Sequence, residues 1–226
     1  MELVRDINVQ VKHILKVATD YGFDDNLWHN YLTFFLMMSE NPFSLTCEKV
    51  GANEGSVNNF VQSDFRVFKE LFDYDFSKIE KELGINCFSQ LSNYVAIHKK
   101  DLMYNKNVSE KVRALSKKLE AAADEKEFFD AITTFYKDFG VGMFGLNKAF
   151  RIEETPNGDF DFVAINNMDM VMLDDLVGYE IQKKKLTDNT EAFVNGKPAN
   201  NVLLFGDSGT GKSTSIKAIV NQYYGD

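Results

Sequence analysis

Cysteine is scarce in this sequence, which contains only Cys47 and Cys87, forty residues apart. Neither belongs to a CxxC motif or to a Cys/His spacing typical of zinc ligands, and this excludes a disulfide-stapled scaffold and a zinc site of the usual spacing. His13, His29 and His98 are too scattered to predict a metal triad. Free thiols are typical of a reducing compartment, so we expect a cytoplasmic protein.

Long apolar runs and an excess of positive charge are also missing. The longest apolar stretch, Tyr31 to Met38, is far too short for a membrane span, and the N-terminal sequence MELVRDINVQVKHILK carries acidic residues that a signal peptide lacks. The 34 acidic and 25 basic residues give a formal net charge of −9, which argues against binding to nucleic acid or to anionic membranes. We expect neither of these partners.

Apolar and aromatic residues at helical spacing are abundant in the first 150 residues, and the spacing predicts a helical region there. The clearest runs are Leu3, Ile7, Val11, Ile14 and Leu15, and then Val108, Val112, Leu115 and Leu119. A third, aromatic run predicts a helix face packed in the core rather than a ligand groove. Its members are Phe128, Phe129, Ile132, Phe135, Tyr136 and Phe139. Ser77 and Asn107, each with Glu three residues later, predict two helix N-caps.

We infer the domain organisation from a change in amino-acid composition near residue 150. We predict a helical region over residues 1–150, an acidic hairpin or linker over residues 151–175, and an incomplete nucleotide-binding domain over residues 176–226. The middle segment contains TPNGD, whose Pro, Asn and Gly are typical of a turn.

The C-terminal segment predicts a helix, a strand and a second helix. The first helix covers Leu176–Asn195, and the apolar run VLLF within Asn201–Phe205 predicts a short strand that is buried on both faces. Within the first helix, the consecutive Lys183, Lys184 and Lys185 predict a solvated face rather than a binding surface.

A glycine-rich loop between the predicted strand and the last helix is the most informative feature. Its sequence GDSGTGKS, Gly206 to Ser213, has the GxxxxGK[ST] pattern of phosphate-binding loops. Glycines let the main chain wrap around a phosphate chain with its N–H groups pointing inward. Lys212 is then placed to reach the β- and γ-phosphates, and Ser213 to ligate Mg²⁺ at the N-terminus of the following helix. The pattern leaves the choice between ATP and GTP open.

The block from Leu173 to Ser213 resembles the start of an AAA+ ATPase module. In that superfamily a segment ending in a hydrophobic residue and Gly precedes a helix, the first core strand and the phosphate loop. The block is closer still to a bacterial family of predicted P-loop ATPases of unknown function, in which an N-terminal helical region comes first. This wider resemblance begins at about Trp28.

The resemblance implies a role for particular residues. Val177 and Gly178 are expected to pack against adenine, Lys212 and Ser213 to contact the phosphates and Mg²⁺, and Thr214 to lie near the α-phosphate. The cradle for the phosphates is expected to consist of Gly206, Asp207, Ser208, Gly209, Thr210 and Gly211. ATP and Mg²⁺ are therefore the expected cofactors.

The fold class that follows is mainly α in the N-terminal region, followed by the truncated start of an α/β three-layer P-loop domain of the AAA+ type. The sequence stops at Asp226, thirteen residues after Ser213 and before the Walker B carboxylate, the sensor residues and the arginine finger that hydrolysis requires. We expect a fragment of a longer protein that contains no catalytic residue and is inactive as an ATPase by itself. Its last fifty residues are expected to fray or aggregate.

Three functions are consistent with these patterns. The first is an AAA+-like ATPase whose N-terminal helices recognise or regulate a protein partner, with homo-oligomerisation open for the full-length parent. The second is a nucleotide-gated binding module that holds ATP without appreciable turnover. The third is a protein-interaction domain over residues 1–150 that works without nucleotide. A run of four apolar residues followed by Asp-Glu in a longer parent sequence would favour hydrolysis. Retention of a partner by residues 1–150 alone would favour the third function.

Overall fold

A computed structural model of the chain describes residues 2–52, 55–97, 104–166 and 168–224. The chain divides into two units: the first consists of Met1–Asn147 with Ala164–Asn167, and the second of Lys148–Val163 with Met168–Asp226. Among the residues described, no helix combines the length and the apolar character that crossing a bilayer requires.

The first unit is helical in the part that the structure describes, which confirms the helical N-terminal region predicted from the sequence. Helix α8 packs against α3, α4 and α7, and α2 packs against α7, so these helices surround the core. In chain order the helices are α1 (Glu2–Tyr21), α2 (Leu27–Met38), α3 (Pro42–Val50), α4 (Ser56–Phe72), α5 (Ser77–Leu83), α6 (Cys87–Ser92), α7 (Lys106–Ala121), α8 (Glu125–Phe139) and α9 (Gly142–Leu146).

The core of the first unit includes the apolar faces that helical spacing predicts for α7 and α8, whereas of the run predicted on α1 only Ile14 is buried and Leu3 is 60% exposed. All four predicted apolar positions of α7 are buried, and so is most of the aromatic run on α8. Two members are not buried: Phe129 is half-buried against the core, and Phe139, the last residue of α8 before Gly140, is exposed. The buried members of the two faces are Val108, Val112, Leu115, Leu119, Phe128, Ile132, Phe135 and Tyr136.

Both predicted N-caps are wrong in position. Ser77 is the first residue of α5 rather than its cap, and its N–H donates to the Asp75 carboxylate at 2.9 Å. Helix α7 is capped by Asn105 instead of Asn107, with the N–H of Val108 donating to the Asn105 side chain at 3.2 Å. In both places the accepting side chain lies two residues upstream of the predicted cap; at α7 it is the N-cap residue, whereas at α5 it lies one residue before the N-cap position, which Phe76 occupies.

Tyr136 joins α8 to α2 through a buried hydrogen bond, its Oη donating to the carbonyl of Leu36 at 2.8 Å. Burial, and to a smaller extent Cys47, raises the pKa of the Tyr136 hydroxyl well above its ordinary value of 10.0. The folded state therefore keeps its proton at a pH at which the unfolded chain ionises. As pH rises above 10.0, the unfolded state is stabilised and the free energy of unfolding falls.

Tyr136→Phe is therefore expected to lower the free energy of unfolding by about 1 kcal/mol at pH 8, because it removes one buried hydrogen bond. It should also make the decline above pH 10 shallower, by up to about 1.4 kcal/mol per pH unit. Burial likewise raises the pKa of Tyr21, so a residual slope remains. The measurement is urea unfolding followed by the emission wavelength of Trp28, the only tryptophan. An equally shallow profile for Tyr74→Phe, at an exposed position, would contradict the explanation.

The second unit begins with a two-stranded hairpin formed by β1 (Phe150–Glu154) and β2 (Phe160–Ala164). In the turn between them, the N–H of Gly158 donates to the carbonyl of Thr155 at 2.9 Å, and the N–H of Thr155 donates to that of Asp159 at 2.7 Å. Of the two alternatives for this acidic segment, a hairpin or an extended linker, the hairpin is confirmed.

Two helices and a short 3₁₀ turn at Leu173–Asp175 complete the described part of the second unit. Helix α10 covers Glu180–Val194 and helix α11 covers Lys212–Tyr223. The prediction that the first of these begins at Leu176 is wrong by four residues. The reason is that Gly178 and Tyr179 have positive φ angles of 82° and 57°, a left-handed conformation that cannot continue a right-handed helix.

The predicted strand in Asn201–Phe205 is also wrong, because this segment has no regular secondary structure. A strand needs a neighbour to accept and donate its main-chain hydrogen bonds, and among the described residues the only sheet is the pairing of β1 with β2. The run is not buried on both faces either: the side chains of Leu203 and Phe205 are 82% and 87% exposed.

Candidate functional site

The glycine-rich loop leads directly into α11, as the sequence predicts. Gly209 and Gly211 both have φ angles of 78°, a conformation that favours glycine over every residue with a side chain. At Gly209 the position of a Cβ atom has no protein atom within 4 Å, so backbone conformation and not crowding within the chain requires glycine there. The loop therefore turns sharply at two positions before α11 begins.

Lys212, the first residue of α11, folds its side chain back over this loop. Its Nζ donates to the carbonyl oxygens of Gly206 and Asp207 at 2.9 and 2.6 Å, and to Thr210 Oγ1 at 3.3 Å. The ammonium group is therefore already held at the mouth of the loop. Beside it, the first turn of α11 leaves N–H groups that no carbonyl of the helix can accept, and these carry the positive end of the helix dipole.

A cavity of about 610 Å³ joins the loop to the turn that precedes α10. It brings Val177 together with Lys212 and most of the predicted phosphate cradle. Its lining residues are Leu176, Val177, Tyr179, Gln182, Lys183, Leu186, Leu203, Leu204, Phe205, Gly206, Asp207, Gly209, Thr210, Gly211, Lys212 and Ser215.

Four residues of the predicted site do not line this cavity. Gly178 lies in the turn next to Val177, and Ser208 lies at the exposed tip of the loop. Ser213 and Thr214 are in the first turn of α11, where Ser213 is exposed and Thr214 is half-buried. Their positions are adjacent to the cavity, and the Ser213 hydroxyl is open to solvent.

Helix α10 contributes cavity residues that the sequence reasoning missed. Gln182 and Lys183 lie four and three residues before Leu186, a spacing that puts the three on one helix face and is the signal that would have found them. Tyr179 lies in the turn immediately before the helix. The prediction that the three consecutive lysines form a solvated face is wrong for Lys183. Its side chain is only 16% exposed, whereas that of Lys184 is 75% exposed.

The same helix fixes the segment that leads into the glycine-rich loop. The side-chain amide of Asn189 donates to the carbonyl of Asn200 at 2.9 Å, and the N–H of Asn200 donates back to Asn189 Oδ1 at 2.8 Å. This reciprocal pair gives Asn200 the two main-chain bonds that a neighbouring strand would otherwise supply. It therefore positions the start of the apolar run that forms one wall of the cavity.

The far end of α11 is held by a polar cluster. Asn221 Nδ2 donates to the carbonyls of Asp169 and Val171 at 2.8 and 3.0 Å, and Lys148 Nζ donates to Asn221 Oδ1 at 2.8 Å. Lys217 Nζ lies 2.6 Å from the Asp169 carboxylate. The three bonds of Asn221 fix the orientation of the helix whose first turn faces the loop, and the exposed Lys217–Asp169 pair adds little to them.

The residues present fit a triphosphate and Mg²⁺ in chemical kind. The volume lies within the range of about 300–1,000 Å³ that is usual for small-ligand sites. One end offers an ammonium group, a glycine-rich main chain and a helix N-terminus to an anion, and the Ser213 hydroxyl is available to a divalent cation. The other end offers the apolar side chains of Val177 and Leu186 to a flat ring.

The histidines and cysteines do not form a site in the described part of the chain. Within the ranges that the structure covers, no three His, Cys, Asp or Glu side chains converge as metal ligands. His29 Nε2 is hydrogen-bonded to the carbonyl of Phe72 at 2.8 Å. His98 lies outside the described residues. Cys47 and Cys87 are free thiols, and burial raises the pKa of both.

Comparison with known proteins gives one finding. Residues 146–226 match the profile of a family described as "Protein of unknown function (DUF815)". This match covers the second unit and the glycine-rich loop but not the helices between Trp28 and residue 145, to which the wider resemblance was expected to extend. No curated protein matches the chain, and no solved structure matches it either.

Proposed function

We propose that the second unit of this protein binds ATP with Mg²⁺ in the cavity between the turn at Val177 and the glycine-rich loop. The observation that carries the proposal is the composition of this cavity, which contains a positively charged, glycine-rich end and an apolar end. A nucleoside triphosphate has the same two parts. The phosphates would lie against Gly206–Gly211 and Lys212, with Ser213 ligating Mg²⁺ and Thr214 near the α-phosphate, and the base would lie against Val177 and Gly178.

The wider proposal is that the parent protein is an AAA+-like, cytoplasmic ATPase. In this proposal its N-terminal helices recognise or regulate a protein partner, and nucleotide binding at the second unit biases a two-state arrangement. What supports it is the GxxxxGK[ST] sequence of the loop and its position directly before α11. A P-loop domain that begins at residue 176 and a homo-oligomeric assembly belong to the same proposal.

A nucleotide-gated module without turnover is the second candidate. Hydrolysis needs a carboxylate to hold Mg²⁺ and a group to orient the attacking water. Among the described residues that line the cavity, the only carboxylate belongs to Asp207, which is part of the loop itself. For these residues, binding without hydrolysis is therefore the better supported activity. Phosphate release from ATP, measured in the presence of Mg²⁺, distinguishes the two candidates.

Calorimetric titration of the 226-residue chain with ATP tests the binding proposal. We expect saturable binding in the presence of Mg²⁺ and weaker binding in EDTA, because the metal neutralises the β- and γ-phosphates that face Lys212. A parallel titration with GTP decides the choice of base. Absence of heat with ATP and with GTP, for a chain whose circular dichroism shows the expected helices, would refute the proposal.

A further inference from the structure

Lys183 is the least exposed member of a run of three lysines, and it lines the proposed nucleotide cavity. Its Nζ donates to the carbonyl of Leu176 at 2.9 Å and lies 2.9 Å from Glu180 Oε1. Lys184, the next residue, instead pairs with Asp188 on the surface of α10 at 2.8 Å. Withdrawing an ammonium group from water is unfavourable unless hydrogen bonds replace the lost hydration, so the two contacts of Lys183 account for its position.

The turn that Lys183 contacts is strained. Gly178 and Tyr179 are consecutive residues with positive φ angles, and Tyr179, at φ 57° and ψ 33°, has a side chain that makes this conformation unfavourable. Such a conformation persists only where surrounding contacts hold it. The bond from Lys183 to the carbonyl of Leu176 spans the turn and ties its first residue to α10.

The turn also lies beside the glycine-rich loop. Leu176 and Gly211 both line the cavity, and a Cβ atom built on Gly211 would lie 3.4 Å from Leu176 Cδ2. Val177, the next residue, is almost fully exposed and lines the cavity. Lys183 therefore holds the turn that carries this apolar wall, and the Glu180 carboxylate pairs with its charge, whereas the contacts of Lys212 are to uncharged oxygens.

We infer that Lys183 is a positioning residue for the nucleoside part of the ligand, and that it does not bind the phosphates. The inference rests on the proposed function, since it concerns the same cavity. It separates two cations that both line the site: Lys212 acts on the phosphates, and Lys183 acts on the wall at Val177 through the turn.

Inorganic tripolyphosphate tests this separation because it carries the phosphate chain without a nucleoside. In calorimetric titrations with Mg²⁺, Lys183→Met should weaken ATP binding by about tenfold, the scale of a lost hydrogen bond from a charged group. It should leave the affinity for tripolyphosphate within about twofold of the unsubstituted chain, since independent groups contribute additively. Lys183→Arg retains a donor and should restore part of the affinity for ATP.

The matched control is Lys184→Met, which removes a lysine from the same helix outside the cavity. It should leave both affinities unchanged. Glu180→Gln is a milder variant for the case in which Lys183→Met unfolds the second unit. It removes the charge partner of Lys183 and should weaken ATP binding by about threefold without affecting tripolyphosphate. Thermal unfolding followed by circular dichroism shows whether each variant is folded.

Two other results would overturn the inference, and a third would overturn the proposed function. Equal losses of ATP and tripolyphosphate affinity in Lys183→Met would place the lysine on the phosphates and overturn the inference. No loss for either ligand would overturn it as well, because the turn would then not depend on Lys183. If the unsubstituted chain binds neither ATP nor tripolyphosphate, the proposed function fails instead.

Discussion

Phe128→Ala is expected to lower the free energy of unfolding of the first unit by about 3–5 kcal/mol, the range for truncating a buried phenylalanine. The Phe128 side chain is completely buried, and its ring packs edge-on against that of Phe72 with the centroids 5.2 Å apart. Removing it leaves a cavity between α4 and α8, and close-packed neighbours close such a space only partly. A loss of this size is a large fraction of the stability of an ordinary domain.

Trp28 makes this loss measurable in the first unit alone. It is the only tryptophan of the chain, it belongs to α2, and its indole N–H donates to the carbonyl of Leu71 at 2.8 Å. Urea unfolding followed by its fluorescence therefore reports on the helical unit and not on the second unit. Phe139→Ala is the control on the same helix, where an exposed ring in contact with Phe135 should account for only about 1 kcal/mol. Similar losses for the two variants would contradict the assignment of the core.

Lys212→Ala should weaken the binding of ATP with Mg²⁺ by about 2 kcal/mol, or about thirtyfold in Kd. The reason is that the variant removes a charge-assisted hydrogen bond to the phosphates and leaves the main-chain N–H groups of the loop in place. Calorimetry with ATP measures the change. The same variant should weaken tripolyphosphate binding to a similar extent, in contrast to Lys183→Met.

Lys217→Ala is the matched control for the loop lysine. Lys217 lies on the same helix, one turn and a half further on, and it pairs with Asp169 instead of facing the cavity. Its removal should change ATP affinity little, because a partly exposed ion pair makes only a small contribution. Unchanged ATP affinity in Lys212→Ala, with the helix content intact, would remove the main support for the phosphate site.

Local patterns in the sequence were sufficient to predict the helical character of the first unit. Val108, Val112, Leu115 and Leu119 share one face of α7 because 3.6 residues make a turn, and that face is buried as the spacing predicts. The positions of the caps were less predictable. Asn105 caps α7 where Asn107 was expected, because two amide side chains lie within reach of one helix start and the incoming chain selects between them.

The glycine-rich loop was also predictable, but the rest of the candidate site was only partly so. Gly209 and Gly211 adopt left-handed conformations that the amino acid itself allows, so their spacing in the sequence was a direct signal. Lys183 gave no such signal. Three lysines in a row are typical of a solvated surface, and only the turn at Gly178 and Tyr179 brings a carbonyl to one of them.

By itself, the sequence determined the helical first unit, the turn at TPNGD and the loop leading into α11, because each depends on residues a few positions apart. Tertiary structure decided that Asn201–Phe205 is not a strand and that the Lys183 side chain is largely withdrawn from water. A strand exists only where distant residues supply hydrogen-bonding partners, and a lysine is withdrawn from water only where folding brings acceptors to its ammonium group. Both conditions depend on contacts that residue order does not contain.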